Sequence, residues 1–319
     1  CIRDRLLCHS RARNRAGQRI SALHGATAAG ERFVRGLRFL FVGLYLCVGT
    51  LPLFWLGVTS LKERPDTISV HLKWLPSGST GAPDEGHFTA TLDAYRRLGT
   101  VYAGADHAFY HYLKNSVLIG LFSTLASVLI GTSAAYGFSR FPIPGAKDWL
   151  FFILSTRFLP PLAVVVPVLM MYREFDLQNT HLGLILLYTV FNLSLAVWLM
   201  KGFIDEIPRA YEEAALVDGY SRLQAFRLVI IPRAASGMAV TGVFCLISAW
   251  NEYGFAMTLN NQDAVTVPVY FAGLQGNVQG IPWPQVGAGV LLFVLPIILF
   301  TVLVRKHLLR GVTFGTLKQ

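Results

Sequence analysis

Long apolar runs alternate with polar segments along the chain, and six of these runs are long enough to cross a membrane as helices. A helix needs about 20 apolar residues to span the roughly 30 Å hydrocarbon core, where its backbone polar groups must be satisfied internally. The pattern therefore predicts an all-α, polytopic membrane protein with six transmembrane helices. The predicted spans are residues 39–61, 116–139, 149–172, 182–200, 234–259 and 286–304.

Prolines interrupt two of the predicted spans. Pro160 and Pro161 lie within the third span, and Pro296 lies within the sixth. Proline lacks a backbone donor and clashes with the preceding helical turn, so both helices are expected to kink or break. A break at membrane depth is tolerated only beside protein or a water-filled cavity.

Composition agrees with a membrane solvent, and the charges give the bundle a direction. The chain is 53% hydrophobic and 14% charged, with a net charge of +10, whereas a soluble domain is roughly 25% charged. With the N-terminus inside, the predicted cytoplasmic segments hold 20 of the 28 Lys and Arg residues, as the positive-inside rule requires. Both termini are predicted to be cytoplasmic, and orientation explains the basic excess without a nucleic-acid partner.

The spans divide the chain into five predicted parts. A basic cytoplasmic extension, expected to be disordered over residues 1–30, precedes the first span, and a long periplasmic loop follows it. The remaining spans form the core membrane domain, which contains a long cytoplasmic loop. The parts are residues 1–38, 39–61, 62–115, 116–304 with the inner loop 201–233, and the cytoplasmic tail 305–319.

The inner loop 201–233 is too patterned to be a simple connector. Pro208 suits the first position of a helix, and Gly219 suits the left-handed residue that ends one. Ser221 and Gln224 have the spacing of a capping box for a second helix, which is expected to stop before Pro232. The loop therefore predicts a helix, a glycine turn and a second helix.

The second helix carries an apolar stripe at spacings of three and four residues, formed by Leu223, Phe226 and Val229 or Ile230. Such a stripe must pack against something. Because the loop is predicted to face water, the stripe indicates either a protein partner or the cytoplasmic ends of neighbouring spans.

The same loop resembles a family motif: Glu-Ala-Ala, three residues, Gly, nine residues, then Ile-x-Leu-Pro. This motif marks the permease subunits of ABC importers, and here it reads Glu213-Ala214-Ala215, Asp218-Gly219 and Val229-Ile230-Ile231-Pro232. The resemblance implies the ABC type I importer permease fold and a helix pair that docks into a cleft on the ATPase subunit. The implied ATPase-coupling residues are Glu213, Ala214, Ala215, Asp218, Gly219 and Pro232.

A narrower resemblance, over residues 89–318, is to the maltose-type, binding-protein-dependent branch, which imports carbohydrates. Asn115-Ser116, Trp250-Asn251-Glu252-Tyr253 and Gly311-Val312-Thr313-Phe314-Gly315 carry it, whereas Thr316-Leu317-Lys318 replaces the usual Ala-Val-Lys. It implies a sugar or polyol as solute and a location in the cell inner membrane. The implied partners are a homologous permease subunit in a heterodimer, two cytoplasmic ATPase subunits that bind ATP and Mg, and a periplasmic or extracellular solute-binding protein.

The sequence lacks the residue patterns that catalysis or metal binding would require. No Gly-x-x-x-x-Gly-Lys-Ser/Thr phosphate loop occurs, so another polypeptide must supply ATP hydrolysis. The histidines are scattered, and the cysteines lie at no metal-ligand or disulfide-framework spacing. The chain is predicted to be a transport subunit without a catalytic residue, a metal site or a cofactor of its own.

Ionisable residues inside spans are costly and usually face protein or water, which makes Arg157 and Glu252 candidates for the solute pathway. Arg157 could hold a sugar hydroxyl or the Glu252 carboxylate, and Trp250 and Asn251 could contact a sugar as well. A structural role would also explain these residues. Arg157 could form a static ion pair or lie at an interface, Trp250 could be an interfacial anchor, and Asn192 could hydrogen-bond between helices. The candidate pathway residues are Arg157, Asn192, Trp250, Asn251 and Glu252.

Two function classes follow from these residues. The first is a permease that couples to a separate ATPase through the inner loop. The alternative is an ion-coupled secondary transporter in which Arg157 and Glu252 form a charge relay.

Overall fold

The computed structural model describes residues 35–69, 73–76, 86–101, 105–260, 262–274 and 280–313. The expected disorder of residues 1–30 and the residues after Thr313 in the tail lie outside these ranges. The chain divides into two compact units, Cys1–Leu56 and Gly57–Gln319. Most of the first helix belongs to the first unit, and all other elements belong to the second.

Helices dominate the described residues. Five of them are long and apolar enough to cross a membrane, and a sixth span is obtained if α5 and α6 are counted as one bent span. The helices are α1 (Arg35–Ser60), α2 (Arg64–Thr67), α3 (Asp93–Arg97), α4 (Phe109–Arg140), α5 (Ala146–Ser155), α6 (Pro161–Glu174), α7 (His181–Asp205), α8 (Ala210–Val217), α9 (Arg222–Ala225), α10 (Ile231–Trp250), α11 (Gly254–Leu259), α12 (Val267–Gly273) and α13 (Trp283–Thr313), with a 3₁₀ turn at Thr156–Phe158 and a π turn at Phe226–Ile230. Two short parallel strands, β1 (Leu75–Pro76) and β2 (His87–Phe88), pair with Leu75 opposite His87.

The centre of the second unit is the close packing of α4 against α7. At Gly131 a Cβ atom would lie 2.6 Å from the Cβ of Ala196, so only glycine allows this approach. Ser127 is buried and donates both to Ser123 O on its own helix (2.6 Å) and to Thr189 O on α7 (3.2 Å). Small residues and short hydroxyls at helix contacts are what membrane bundles use in place of the hydrophobic effect.

The third predicted span is broken, as the prolines predict. The segments Ala146–Phe158 and Ala163–Glu174 meet at a bend of 94°, and the residues between them include Pro160, whose backbone is extended. The sixth span behaves differently, because α13 continues through Pro296 and therefore bends there at most.

The fifth span differs from the prediction at both ends. It was expected over 234–259, but the continuous helical segment runs from Arg222 to Trp250. Beyond Trp250 the helix ends, and α11 is a separate helix whose first amides bind the Glu252 side chain. The apolar run continues past the break, so hydropathy alone joined two helices.

The remaining boundaries extend beyond the apolar runs. Helix α4 begins at Phe109 rather than at residue 116, and α7 continues to Asp205 rather than residue 200. Thr180 caps α7, because its hydroxyl accepts from Gly183 N at 3.0 Å. His111, Lys114 and Lys201 in these added turns interrupt the apolar runs, which is why a hydropathy pattern shortens the helices.

Candidate functional sites

The segment between α7 and α10 contains the predicted helix pair. Helix α8 begins at Ala210, two residues after Pro208, which was predicted to be the first helical residue. Pro208 stands just before the helix instead, where its carbonyl accepts from Tyr211 N (3.3 Å) and the next carbonyl, of Arg209, accepts from Glu212 N (2.9 Å).

The turn between the two helices is the predicted one. Gly219 has φ of +90°, a backbone conformation that L side chains rarely adopt. Its N–H donates to Leu216 O (3.1 Å), and Tyr220 N donates to Ala215 O (3.0 Å), so two carbonyls at the end of α8 are satisfied. The left-handed glycine is confirmed.

The capping box is also confirmed. Ser221 N donates to Gln224 Oε1 at 2.8 Å, and Gln224 N donates to Ser221 Oγ at 3.3 Å. These reciprocal bonds fix the first turn of α9 and thereby the direction in which the chain re-enters the bundle.

The predicted stop before Pro232 is wrong. Helix α9 passes through the π turn Phe226–Ile230 directly into α10, and Pro232 lies in the first turn of α10. Proline cannot donate to the carbonyl four residues earlier and its ring crowds that carbonyl. The wider π turn changes the hydrogen-bond register just before Pro232, which lets the helix continue.

Packing sorts the motif residues into two faces. Ala215 is buried, whereas Glu213, Ala214 and Asp218 are exposed. The predicted apolar stripe divides as well: Ile230 is fully buried and Phe226 lies against the Tyr136 ring (4.5 Å between centroids), but Leu223 is 65% exposed. Val217 (87% exposed) and Leu228 (61%) are further exposed apolar side chains of this segment.

A buried charged cluster anchors the helix pair, and sequence reasoning missed it. Glu212 pairs with Arg140 at the end of α4 (Oε2 to Nε 3.0 Å), and both side chains are almost completely buried. Tyr136 donates its hydroxyl to the other carboxylate oxygen of Glu212. Arg140 Nη2 also donates to the Ile204 and Ile207 carbonyls (3.2 and 2.8 Å).

One guanidinium thus joins the end of α4, the end of α7 and the first turn of α8. The doubled acid Glu212-Glu213 was the available signal: on a helix whose Ala215 faces inward, the acid three residues earlier faces inward too. Two further bonds tie the same corner, from Ser139 Oγ to Asp205 (2.6 Å) and from Arg209 to Ser139 O (3.0 Å).

A second candidate site is a cavity of about 220 Å³ at the break between α5 and α6. It faces α7 and the end of α10, and its walls combine polar and apolar groups. Its lining residues are Arg157, Leu159, Pro161, Tyr188, Phe191, Asn192, Ser248, Ala249, Glu252 and Phe255. Among the described residues, no group of three or more His, Cys, Asp or Glu side chains is placed to hold a metal ion.

The two charges of this cavity do not pair with each other. Arg157 donates to Phe191 O (3.2 Å) and, at a long 3.5 Å, to Ser248 Oγ. Among the described residues, Arg157 forms no ion pair with a carboxylate, whereas Arg140 does.

Glu252 is occupied by other groups. Its Oε2 accepts from the Tyr188 hydroxyl (2.6 Å) and Ala256 N (3.1 Å), and its Oε1 accepts from Phe255 N (2.9 Å). The carboxylate therefore caps the start of α11 and ties it to α7, a favourable place for a negative charge.

The remaining predicted pathway residues separate. Asn192 lines the cavity and also bridges helices, since its Nδ2 donates to Cys245 O on α10 (3.2 Å). Trp250 does not line it: the indole is buried, stacks on Phe293 and donates to Phe293 O (3.1 Å). Asn251 is exposed, bonds back to Ile247 O (2.9 Å) and does not line the cavity either.

The chain is similar to membrane components of transport systems. The family model described as "Binding-protein-dependent transport system inner membrane component" matches residues 127–313. A trehalose transport system permease protein of Mycobacterium tuberculosis is 34% identical over 272 residues, which cover 84% of this chain and 92% of that protein. A sulfoquinovosyl glycerol transport system permease protein of Agrobacterium fabrum is 30% identical, with coverage of 88% and 93%.

The fold has a counterpart among solved structures. A chain of a bacterial ABC transporter involved in the import of the acidic polysaccharide alginate superposes with a TM-score of 0.67. The match covers 87% of this chain and 97% of that chain at 21% identity, so it concerns the fold alone.

Proposed function

This chain belongs to the family of binding-protein-dependent transport system inner membrane components, and from that membership we propose that it forms half of the translocation pathway for a sugar or polyol. It is a multi-pass permease subunit of an ABC importer. The solute class rests on relatives named for trehalose and for sulfoquinovosyl glycerol. The proposed location is the cell inner membrane, with the α7–α10 segment on the cytoplasmic side.

The proposed coupling element is the helix pair α8–α9. A part that transmits motion needs a stiff base and a contact surface, and this segment has both. The single observation that carries the proposal is the buried Arg140–Glu212 pair, which fixes α8 to α4 and α7. The exposed residues of the helix pair include Glu213 and the apolar Val217 and Leu223, a combination suited to a partner cleft.

The proposed partners follow from the same arrangement. Two ATPase subunits that bind ATP and Mg dock on the helix pairs of this chain and of a homologous permease subunit, and a solute-binding protein delivers the solute from outside. This chain supplies neither the ATP site nor any cofactor.

The alternative, an ion-coupled carrier, needs a charge relay between Arg157 and Glu252. The Glu252 carboxylate accepts from Tyr188 and from two amides of α11 instead. Arg157 donates to Phe191 O and Ser248 Oγ rather than to that carboxylate. The geometry favours ATP-driven coupling.

Replacing Gly219 with valine tests the coupling role in the complete complex. A left-handed residue with a side chain costs about 1–2 kcal/mol, although a Cβ there meets no atom within 4 Å. The variant is expected to insert and assemble but to lose about 5- to 30-fold in solute-stimulated ATP hydrolysis and uptake.

Gly202→Val is the matched control, since Gly202 also has open space around its Cβ position but an ordinary helical backbone. Wild-type transport by Gly219→Val with its ATPase bound would remove the coupling role. Uptake that needs an ion gradient but no ATP would favour the carrier instead.

A further inference from the structure

Helix α8 is joined to α10 by a side-chain contact as well as by the chain. Arg233, in the first turn of α10, places its guanidinium carbon 4.2 Å from the centroid of the Tyr211 ring on α8. Its Nη1 also donates to Val229 O (3.2 Å), which lies in the π turn. One side chain of α10 thus contacts both α8 and the turn that leads into α10.

The contact depends on the ring of Tyr211 rather than on its hydroxyl. A guanidinium over an aromatic face is attracted by the ring quadrupole. Among the described residues, Arg233 forms no ion pair and the Tyr211 hydroxyl makes no hydrogen bond. A change of the ring therefore removes the contact, whereas loss of the hydroxyl alone keeps it.

The route from α8 to α10 along the backbone is longer and contains two irregular turns. From Tyr211 the chain passes the left-handed Gly219 and the π turn before it reaches Arg233. Glycine is conformationally permissive, and π turns are frequent at functional sites in helices. A movement of α8 can be absorbed in these turns unless a second contact carries it directly to α10.

Helix α10 extends from this contact to the cavity at the α5–α6 break. Ser248 and Ala249, in its last turn, line that cavity. The helix is continuous from Ile231 to Trp250, and the distance along it from Arg233 to Ser248 is about 22 Å. A displacement of its first turn therefore reaches the wall of the cavity.

We propose that Arg233 is a positioning residue that carries movement of α8 into α10 through the Tyr211 ring. The proposal rests on the coupling role proposed for α8–α9 and names the side chain through which that role reaches the cavity. Arg140 holds α8 to the ends of α4 and α7, whereas Arg233 connects it to α10. Loss of Arg233 therefore lowers the transport achieved for each ATP hydrolysed and leaves the assembly intact.

The test measures sugar uptake and ATP hydrolysis in the same proteoliposomes, with the complete complex and its solute-binding protein. A panel of radiolabelled sugars that begins with trehalose supplies the probe, which is the sugar with the highest uptake. Arg233→Met keeps an unbranched apolar stem but has no charge. It is expected to retain the ATPase subunits and to import about 2- to 5-fold fewer sugar molecules per ATP, the factor that an exposed cation–π contact represents.

Arg227→Met is the matched control. Arg227 lies in the π turn, is exposed, and makes no hydrogen bond, ion pair or ring contact within the described part of the chain. Its replacement removes the same charge and should leave the ratio of import to hydrolysis unchanged. Equal losses from Arg227→Met and Arg233→Met would overturn the proposal, because the charge of the segment and not the ring contact would then matter.

Substitutions of Tyr211 test the other side of the contact. Tyr211→Phe is the conservative variant that keeps the ring, so the ratio should stay at the wild-type value, whereas Tyr211→Leu should match Arg233→Met. Arg233→Met combined with Tyr211→Leu is expected to be no worse than either alone, because both remove one contact. Additive losses would mean that the two residues act separately, which contradicts the proposal.

The outcomes separate this proposal from the function beneath it. Absence of ATP-dependent uptake for every sugar by the unchanged complex contradicts the proposed permease function itself. ATP-dependent uptake with a wild-type ratio in Arg233→Met contradicts only the role of Arg233. That holds even if the variant unfolds at a lower temperature, because a stability loss with an unchanged ratio is what a purely structural contact produces.

Discussion

The buried anchor of the proposed coupling element and the cavity at the α5–α6 break both contain charged side chains among helices, but the charges are arranged in opposite ways. At the anchor, Arg140 and Glu212 face each other at 3.0 Å with almost no exposure. At the cavity, Arg157 and Glu252 bind separate neighbours, and the Arg157 guanidinium has more N–H donors than its bonds to Phe191 O and Ser248 Oγ use. The two charges of the buried pair neutralise each other and hold the helices in place, so the pair is a fixed joint. Separated charges keep hydrogen-bonding groups available for a molecule that enters and leaves the cavity.

The sharpest way to break this comparison is to unpair the anchor. Arg140→Met leaves Glu212 buried without its cation, which is expected to cost about 3–5 kcal/mol. Thermal unfolding of the purified complex and retention of the ATPase subunits on it measure the loss. We expect the variant to be less stable and to retain less of the ATPase subunits, because α8 is no longer held to α4 and α7.

An exposed pair of the same type is the control. Arg97 and Asp93 contact at 2.6 Å with side chains 61% and 48% exposed, and surface pairs contribute about 0–1 kcal/mol. Arg97→Met should therefore leave stability and ATPase retention nearly unchanged. Equal effects of Arg97→Met and Arg140→Met would mean that the buried pair is no fixed joint.

Next in size is the bond that ties α11 to α7 beside the cavity. Tyr188→Phe removes the hydroxyl that donates to Glu252, and a bond to a charged group is expected to contribute about 1.5–3 kcal/mol. Hydrogen exchange at the amides of Phe255 and Ala256 should accelerate, since the carboxylate that caps them is less well held.

Tyr172→Phe provides the comparison for that bond. The Tyr172 hydroxyl donates to a neutral acceptor, Gly183 O, at 2.9 Å, and such bonds contribute about 1 kcal/mol. Tyr172→Phe is expected to cost less and to leave the α11 amides protected. A larger loss of stability from Tyr172→Phe than from Tyr188→Phe would show that the charge of Glu252 does not strengthen the bond between α7 and α11.

The two regions also differ in how far sequence reasoning reached. In the segment between α7 and α10, the left-handed Gly219 and the Ser221–Gln224 box follow from local rules, and the structure has both. The proline break of the third span is equally local. These features could be predicted from a few neighbouring residues, whereas the same local rules wrongly placed Pro208 at the first position of α8 and ended the second helix before Pro232.

Tertiary partners decided the rest. Glu212 lies next to the motif acid Glu213, but only the packing of α8 on α4 shows that it pairs with Arg140, which lies 72 positions earlier in the sequence. Trp250 looks like a solute or interface residue until α13 provides Phe293 for it to stack on. The helix through Pro232 depends on a π turn that no propensity rule signals.

The smallest effect tests whether the joint needs its local supports as well as its buried pair. Ser221→Ala removes one half of the capping box while the Arg140–Glu212 pair stays intact, and loss of such a cap costs about 1 kcal/mol. We expect the unfolding temperature to fall slightly and solute-stimulated ATP hydrolysis to fall about 5-fold, because the first turn of α9 is then held less rigidly against α10. Ser133→Ala, with its hydroxyl bonded back to Leu129 O, should change neither measurement. If Ser221→Ala also changed nothing, stiffness of the segment would reside in the buried pair alone.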